Sequence, residues 1–125
     1  GQALLVITDE SCPKAYHNRL TEQGISWIAT GSNGIDLTRA MEILRREFGV
    51  ERLAVTGGGH INGAFLAAEL LDEVSFMVAP GIDGRKGMAS VFDGIANPNR
   101  PATQLRLLGV KQMGETVWMR YKFKS

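Results

Sequence analysis

The chain has 125 residues, 44% of them hydrophobic and 22% charged, with a formal net charge of +1. That length predicts one domain with a core of its own, and the near-neutral balance with dispersed Lys and Arg argues against nucleic-acid or anionic-membrane partners. The single cysteine, Cys12, cannot form an internal disulfide, no apolar run reaches the roughly 18 residues of a membrane span, and no signal segment opens the chain, so a cytoplasmic protein is expected.

Ala3–Ile7 is a short continuous apolar run, the pattern of a strand buried on both faces. Ser11 is placed to cap the next helix and Pro13 suits its first turn; the helix should end at Gln23, with Gly24 beyond it. Residues 25–29 read as a second strand, followed by a loop over 30–34. Asp36 can cap a helix whose Leu37, Ala40, Met41, Leu44 and Phe48 share one face, and Gly49 stops it. His17 and the Arg45–Arg46 pair read as solvated helix surface.

Arg52–Thr56 is the expected third strand, running directly into Gly57-Gly58-Gly59. A helix follows over Asn62–Leu71 and a fourth strand over Glu73–Ala79. Strand and helix alternating through short connections predicts a parallel sheet flanked by helices. Residues 80–101, rich in Gly, Pro and Asn, read as a long ordered loop. Two strands then meet at Gly114-Glu115, and Val117, Met119, Tyr121 and Phe123 alternate with Trp118, Arg120, Lys122 and Lys124. The expected fold class is therefore α/β, a mostly parallel sheet closed by an antiparallel hairpin.

A glycine turn between a strand and a helix is a general phosphate-binding device, because the first-turn amides lack partners and the helix dipole favours an anion. Three glycines in that position also suit a tight turn with close packing, and the spacing is not G-x-G-x-x-G. Asp72 and Glu73 sit where a helix gives way to a strand and read as turn and surface residues rather than an acid–base pair. Met77, Met88, Met113 and Met119 read as packing, and no Cys/His spacing suits a metal.

Taken together, Thr56-Gly-Gly-Gly-His-Ile-Asn-Gly-Ala-Phe-Leu66 resembles the cofactor turn of the dihydrofolate reductase fold, and more closely the reductase domain of bacterial riboflavin biosynthesis. The resemblance extends through 36–40, 48–53, 71–75, 79–84 and 92–94, nearly the whole chain. It implies a single reductase-like domain and reduction of 5-amino-6-(5-phosphoribosylamino)uracil by NADPH, the ribosyl group becoming ribityl; Trp118 on the outer face of the antiparallel end is the expected contact for a homodimer. The NADPH pyrophosphate would lie on Gly57, Gly58, Gly59, His60, Ile61 and Asn62, with contacts continuing to Gly63 and Ala64. Thr8 matches a position beside the adenosine half of the cofactor. Thr30 and Ser32 are weaker candidates for the same region, for which ordinary turn polarity is the simpler account.

Two departures from the family accompany these matches. Many members carry glutamate just before the glycines, where this chain has Thr56; a hydroxyl can hydrogen-bond a pyrimidine substrate but supplies no negative charge. Family domains also begin with a further strand and helix that carry substrate contacts. The 125 residues thus correspond to the C-terminal part of such a domain, which would pair with an upstream segment or a second chain. A nucleotide-binding fragment without turnover and a dihydrofolate reductase-type enzyme are the alternative readings.

Overall fold

The structure is a computed structural model and describes residues 3–124. The chain divides into two compact units, Gly1–Ala54 and Val55–Ser125. Among the described residues no helix is long and apolar enough to cross a membrane.

In the first unit, β1 (Leu5–Thr8) pairs in parallel with β2 (Ser26–Ala29) through the crossover helix α1 (Lys14–Glu22). Ser11 does not cap that helix. Its amide and hydroxyl both donate to Asp9 Oδ1, at 3.0 and 2.6 Å, so the side chain is spent on a local turn and Pro13 stands at the cap position. The Ser11 hydroxyl also holds the Asp9 carboxyl below its ordinary range. At the far end Ile25 N–H donates to Leu20 O and Gly24 takes a left-handed conformation, as its position in the sequence implies.

The second helix, α2 (Leu37–Phe48), starts where Asp36 accepts the Arg39 amide at 3.0 Å and stops at Gly49, whose φ of 67° a side chain would resist. Its Ala40 and Leu44 join Leu20 and Ile28 as the buried hydrophobic residues of this unit. Asp36→Ala leaves the first-turn amide without its acceptor. The expected result is a loss of about 1 kcal/mol, read as a lower thermal midpoint with unchanged circular dichroism at 20 °C.

Residues 51–58 are irregular, which overturns the expected third strand at Arg52–Thr56. An extended run becomes a strand only against a hydrogen-bonding neighbour, and these residues have no ladder partner among the described residues. Leu53 is 48% exposed, so the run is apolar without being buried.

The second unit begins with α3 (Gly59–Ala67), three residues ahead of the expected start and ending before Leu71 because Ala68 caps it and Glu69 turns left-handed. β3 (Glu73–Val78) is antiparallel to β5 (Thr116–Phe123), which is antiparallel in turn to β4 (Leu105–Met113), giving the order β3-β5-β4. Residues 79–104 form the long connection that their composition predicts. The single, mostly parallel sheet is therefore corrected. The fold is mixed α/β with a two-stranded parallel sheet and a separate three-stranded antiparallel one.

The two-residue period of β5 holds from Met119 to Phe123, while Trp118 is half-buried like its neighbours. Val117, Met119, Tyr121 and Phe123 are half-buried, and Phe76 stacks on Tyr121 at 5.8 Å. On the opposite face Trp118 donates to Ser75 Oγ at 2.6 Å, and the Arg120 guanidinium lies 5.7 Å from its ring centroid. Cross-strand pairing adds Arg106 opposite Lys122 and Lys111 opposite Trp118, with Glu73 on the other side of Lys122. Cations dispersed along the sequence are thus gathered on one sheet face.

Candidate functional site

The expected site residues fall into two sets, one in each unit. Thr8 and Thr30 stand at the carboxyl ends of β1 and β2, the end of a parallel sheet at which open α/β folds bind ligands. Thr30 N–H donates to Thr8 O at 3.0 Å, bringing the two together. Thr30 is 3% exposed, and its hydroxyl donates to Asp36 O at 2.8 Å, fastening the 30–36 loop to the start of α2. The Thr8 hydroxyl instead meets His17 Nε2 at 2.8 Å.

That contact places His17 differently from the surface reading. Arg45 and Arg46 are exposed, but His17 is only 8% exposed. Its ring stacks on Trp27 at 4.0 Å, with 3° between the planes. Trp27 Nε1 donates to Thr21 Oγ1, and that hydroxyl donates to the His17 carbonyl. The sequence signal is the i,i+3 spacing of His17 and Leu20, which puts both on the buried face of α1.

In the second unit the glycines do three different things. Gly57 has φ of 97°, and the Gly57–Gly58 peptide is cis. Gly58 is the N-cap of α3; nothing lies within 4 Å of the place a Cβ would take there, and no side chain caps the helix. Asn62 N–H closes the first turn onto Gly58 O, so the amides of Gly59, His60 and Ile61 precede the first intrahelical donor. Thr56, His60, Ile61 and Ala64 are exposed around this turn.

Gly59 and Gly63 are required by the protein itself. A Cβ on Gly59 would strike Ser90 O, and one on Gly63 would strike the Asp93 carbonyl and come within 3.1 Å of its nitrogen. The segment Ser90–Gly94 lies across the start of α3. It is held there by Asp93 N–H to Gly59 O at 3.0 Å and by Asn62 Nδ2 to Val91 O at 2.9 Å. Gly94 in turn lies against the His60 ring. Open space and close packing are thus divided among different glycines: the first at Gly58, the second at Gly59 and Gly63.

This arrangement can receive an anion. Its helix terminus is uncapped, the approach at Gly58 is clear, and the dipole of α3 favours negative charge at that end. The sequence model of the RibD C-terminal domain matches residues 1–119. The chain belongs to the RibD C-terminal domain family.

Two relatives of this RibD C-terminal domain chain are both named as 2,5-diamino-6-ribosylamino-4(3H)-pyrimidinone 5′-phosphate reductase. The one from Aquifex aeolicus is 28% identical over 90 residues, which is 72% of this chain and 40% of the relative. That from Methanothermobacter thermautotrophicus is 31% identical over 99 residues, 78% of this chain and 45% of the relative. The chain therefore spans less than half the length of these relatives. Among solved structures, a pyrimidine reductase-like protein from Corynebacterium diphtheriae superposes with a TM-score of 0.78 at 19% identity, covering 97% of this chain and 50% of the other. RibD from Acinetobacter baumannii gives 0.76 at 16% identity, covering 96% and 37%. The RibD-like fold is common to all three.

Proposed function

We propose that the chain is part of an NADPH-dependent oxidoreductase of riboflavin biosynthesis, which reduces the ribosyl group of a ribosylaminopyrimidine 5′-phosphate to ribityl. The observation that carries this reading is the uncapped first turn of α3 behind the open Gly58, in a chain of this family. Gly57, Gly58 and the amides of Gly59, His60 and Ile61 would receive the pyrophosphate, with Asn62, Gly63 and Ala64 completing that end of the helix. Thr8 and Thr30 would lie beside the adenosine half. When bound, NADPH supplies the hydride for C1 of the sugar in its imine-like form; the protein's part is to orient and desolvate the reactants.

Two pyrimidine rings compete as substrate. The resemblance points to 5-amino-6-(5-phosphoribosylamino)uracil, while the relatives are named for the 2,5-diamino pyrimidinone, which carries an amino group where the uracil carries an oxygen. Thr56 both donates and accepts through its hydroxyl, so it can meet either group. Thr56→Glu, made in a longer form of the protein that includes an upstream segment, should raise turnover of the uracil substrate. No gain, or a loss, would point to a different pyrimidine.

Fluorescence titration with NADPH, followed by loss of nicotinamide absorbance with each pyrimidine, tests the proposal directly. Failure to bind NADPH overturns it; binding without turnover, also in the longer form, identifies a nucleotide-binding portion, and turnover of dihydrofolate a different reductase. We read the arrangement as dihydrofolate reductase-like and cytoplasmic, with β3 the place where a further strand adds. β3 is an edge of its sheet, and Met77 and Val78 on it are more than half exposed. An upstream segment or the strand of a second copy in a homodimer would satisfy that edge.

A further inference from the structure

We infer that His17 is a positioning residue: it holds the Thr8 hydroxyl in a single orientation at the carboxyl end of β1, so that Thr8 presents its proton to an oxygen of the nucleotide's adenosine half. The inference rests on the proposed cofactor reading of Thr8 and assigns the residue that makes Thr8 effective.

A threonine hydroxyl at a strand end has one proton, two lone pairs and free rotation about its C–O bond. Unless something fixes it, ordering that proton on a ligand costs part of the hydrogen bond gained. Thr8 is fixed twice. Its carbonyl accepts Thr30 N–H, which sets the backbone, and its Oγ1 lies 2.8 Å from His17 Nε2. With Nε2 as the donor, one lone pair of the hydroxyl is occupied and its proton is directed elsewhere. An acceptor is then the complementary ligand group, and ribose and phosphate oxygens are acceptors.

The histidine is itself held more firmly than packing on a helix requires. It is 8% exposed, parallel to the Trp27 indole at 4.0 Å, and Trp27 is anchored through Nε1 to Thr21 Oγ1 at 3.0 Å. Thr21 returns to the same helical turn by donating to the His17 carbonyl at 3.1 Å. The chain of contacts Thr21–Trp27–His17–Thr8 leaves the imidazole one lateral position and aims Nε2 at the strand end. A leucine would fill the same core without polarity, so a ring nitrogen there is matched to what Thr8 needs.

The test measures NADPH affinity by fluorescence titration for the full chain and its variants, with thermal midpoints recorded in parallel. His17→Leu is expected to weaken NADPH about tenfold, as is Thr8→Val, and the double variant to be no weaker than either single one. His17→Gln keeps an N–H donor at the Nε2 position and should stay within about threefold of the unsubstituted chain, even if its thermal midpoint falls as far as that of His17→Leu. ADP-ribose, used as a competitor, should report the same losses. Equal affinities for the Leu and Gln variants, additive losses in the double variant, or an unchanged affinity in Thr8→Val would each overturn the inference. If His17→Leu does not fold, the comparison of His17→Gln with Thr8→Val and their double variant decides in the same way. Absence of NADPH binding by the unsubstituted chain overturns the cofactor reading and this inference together. Normal binding that Gly58→Val abolishes and His17→Leu leaves intact overturns this inference alone.

Discussion

Gly58→Val is expected to abolish the proposed NADPH binding and to leave the secondary structure in place. Gly58 has φ −72° and ψ −162°, a region that a β-branched residue occupies readily, and nothing lies within 4 Å of its would-be Cβ. Folding therefore has little to lose. The cofactor has much to lose, since the isopropyl group fills the space through which a pyrophosphate reaches the α3 amides. A loss of at least about 100-fold, near 2.7 kcal/mol, is expected in the fluorescence titration, with far-ultraviolet circular dichroism unchanged. Normal NADPH affinity in this variant would show that the turn does not hold the cofactor.

Gly63→Ala has the opposite signature, four residues into the same helix. Alanine improves helix propensity by about 1 kcal/mol, and in an open position it would stabilise. Here its methyl group is driven into the backbone of Asp93, which is no flexible side-chain end and cannot swing aside. Overpacking against backbone costs about 2–3 kcal/mol and also strains the Asp93–Gly59 and Asn62–Val91 hydrogen bonds, so the clash prevails. A thermal midpoint lower by roughly 5–10 °C is expected, with faster amide exchange at Asp93. A raised midpoint would mean that the 90–94 segment does not rest on α3.

These two glycines also mark how far the sequence could be read. The capped helix α2 was legible end to end, because Asp36 and Gly49 act through their own backbone neighbours. The hairpin about Gly114-Glu115 was legible for the same reason, its turn and its alternation being local. Arg52–Thr56 was misread because an apolar extended run specifies only half of a strand, and the other half is a partner located elsewhere. The glycine run marked an uncapped helix start, yet the sequence could not divide its glycines between open space and contact. That division depends on residues 90–94, some thirty positions away. His17 was missed because a histidine's surroundings follow from tertiary packing, here Trp27 and Thr8 arriving from two strands.

The pairing of Arg106 with Lys122 has a consequence for the solution in which the protein is handled. Cross-strand neighbours of like charge repel, and these stand directly opposite each other, both exposed, with Arg120 two positions before Lys122 on β5 and Lys124 just beyond the strand's end. The Debye length shortens from about 30 Å at 0.01 M salt to about 10 Å at 0.1 M, so added electrolyte relieves repulsion along this row. Where salt bridges stabilise a surface, ionic strength erodes them. Glu73 offers Lys122 a counter-charge from the other side, but Arg106 faces only a cation, so dissolved anions supply what its cross-strand partner withholds and dilution into low-salt buffer is the harsher treatment for this row.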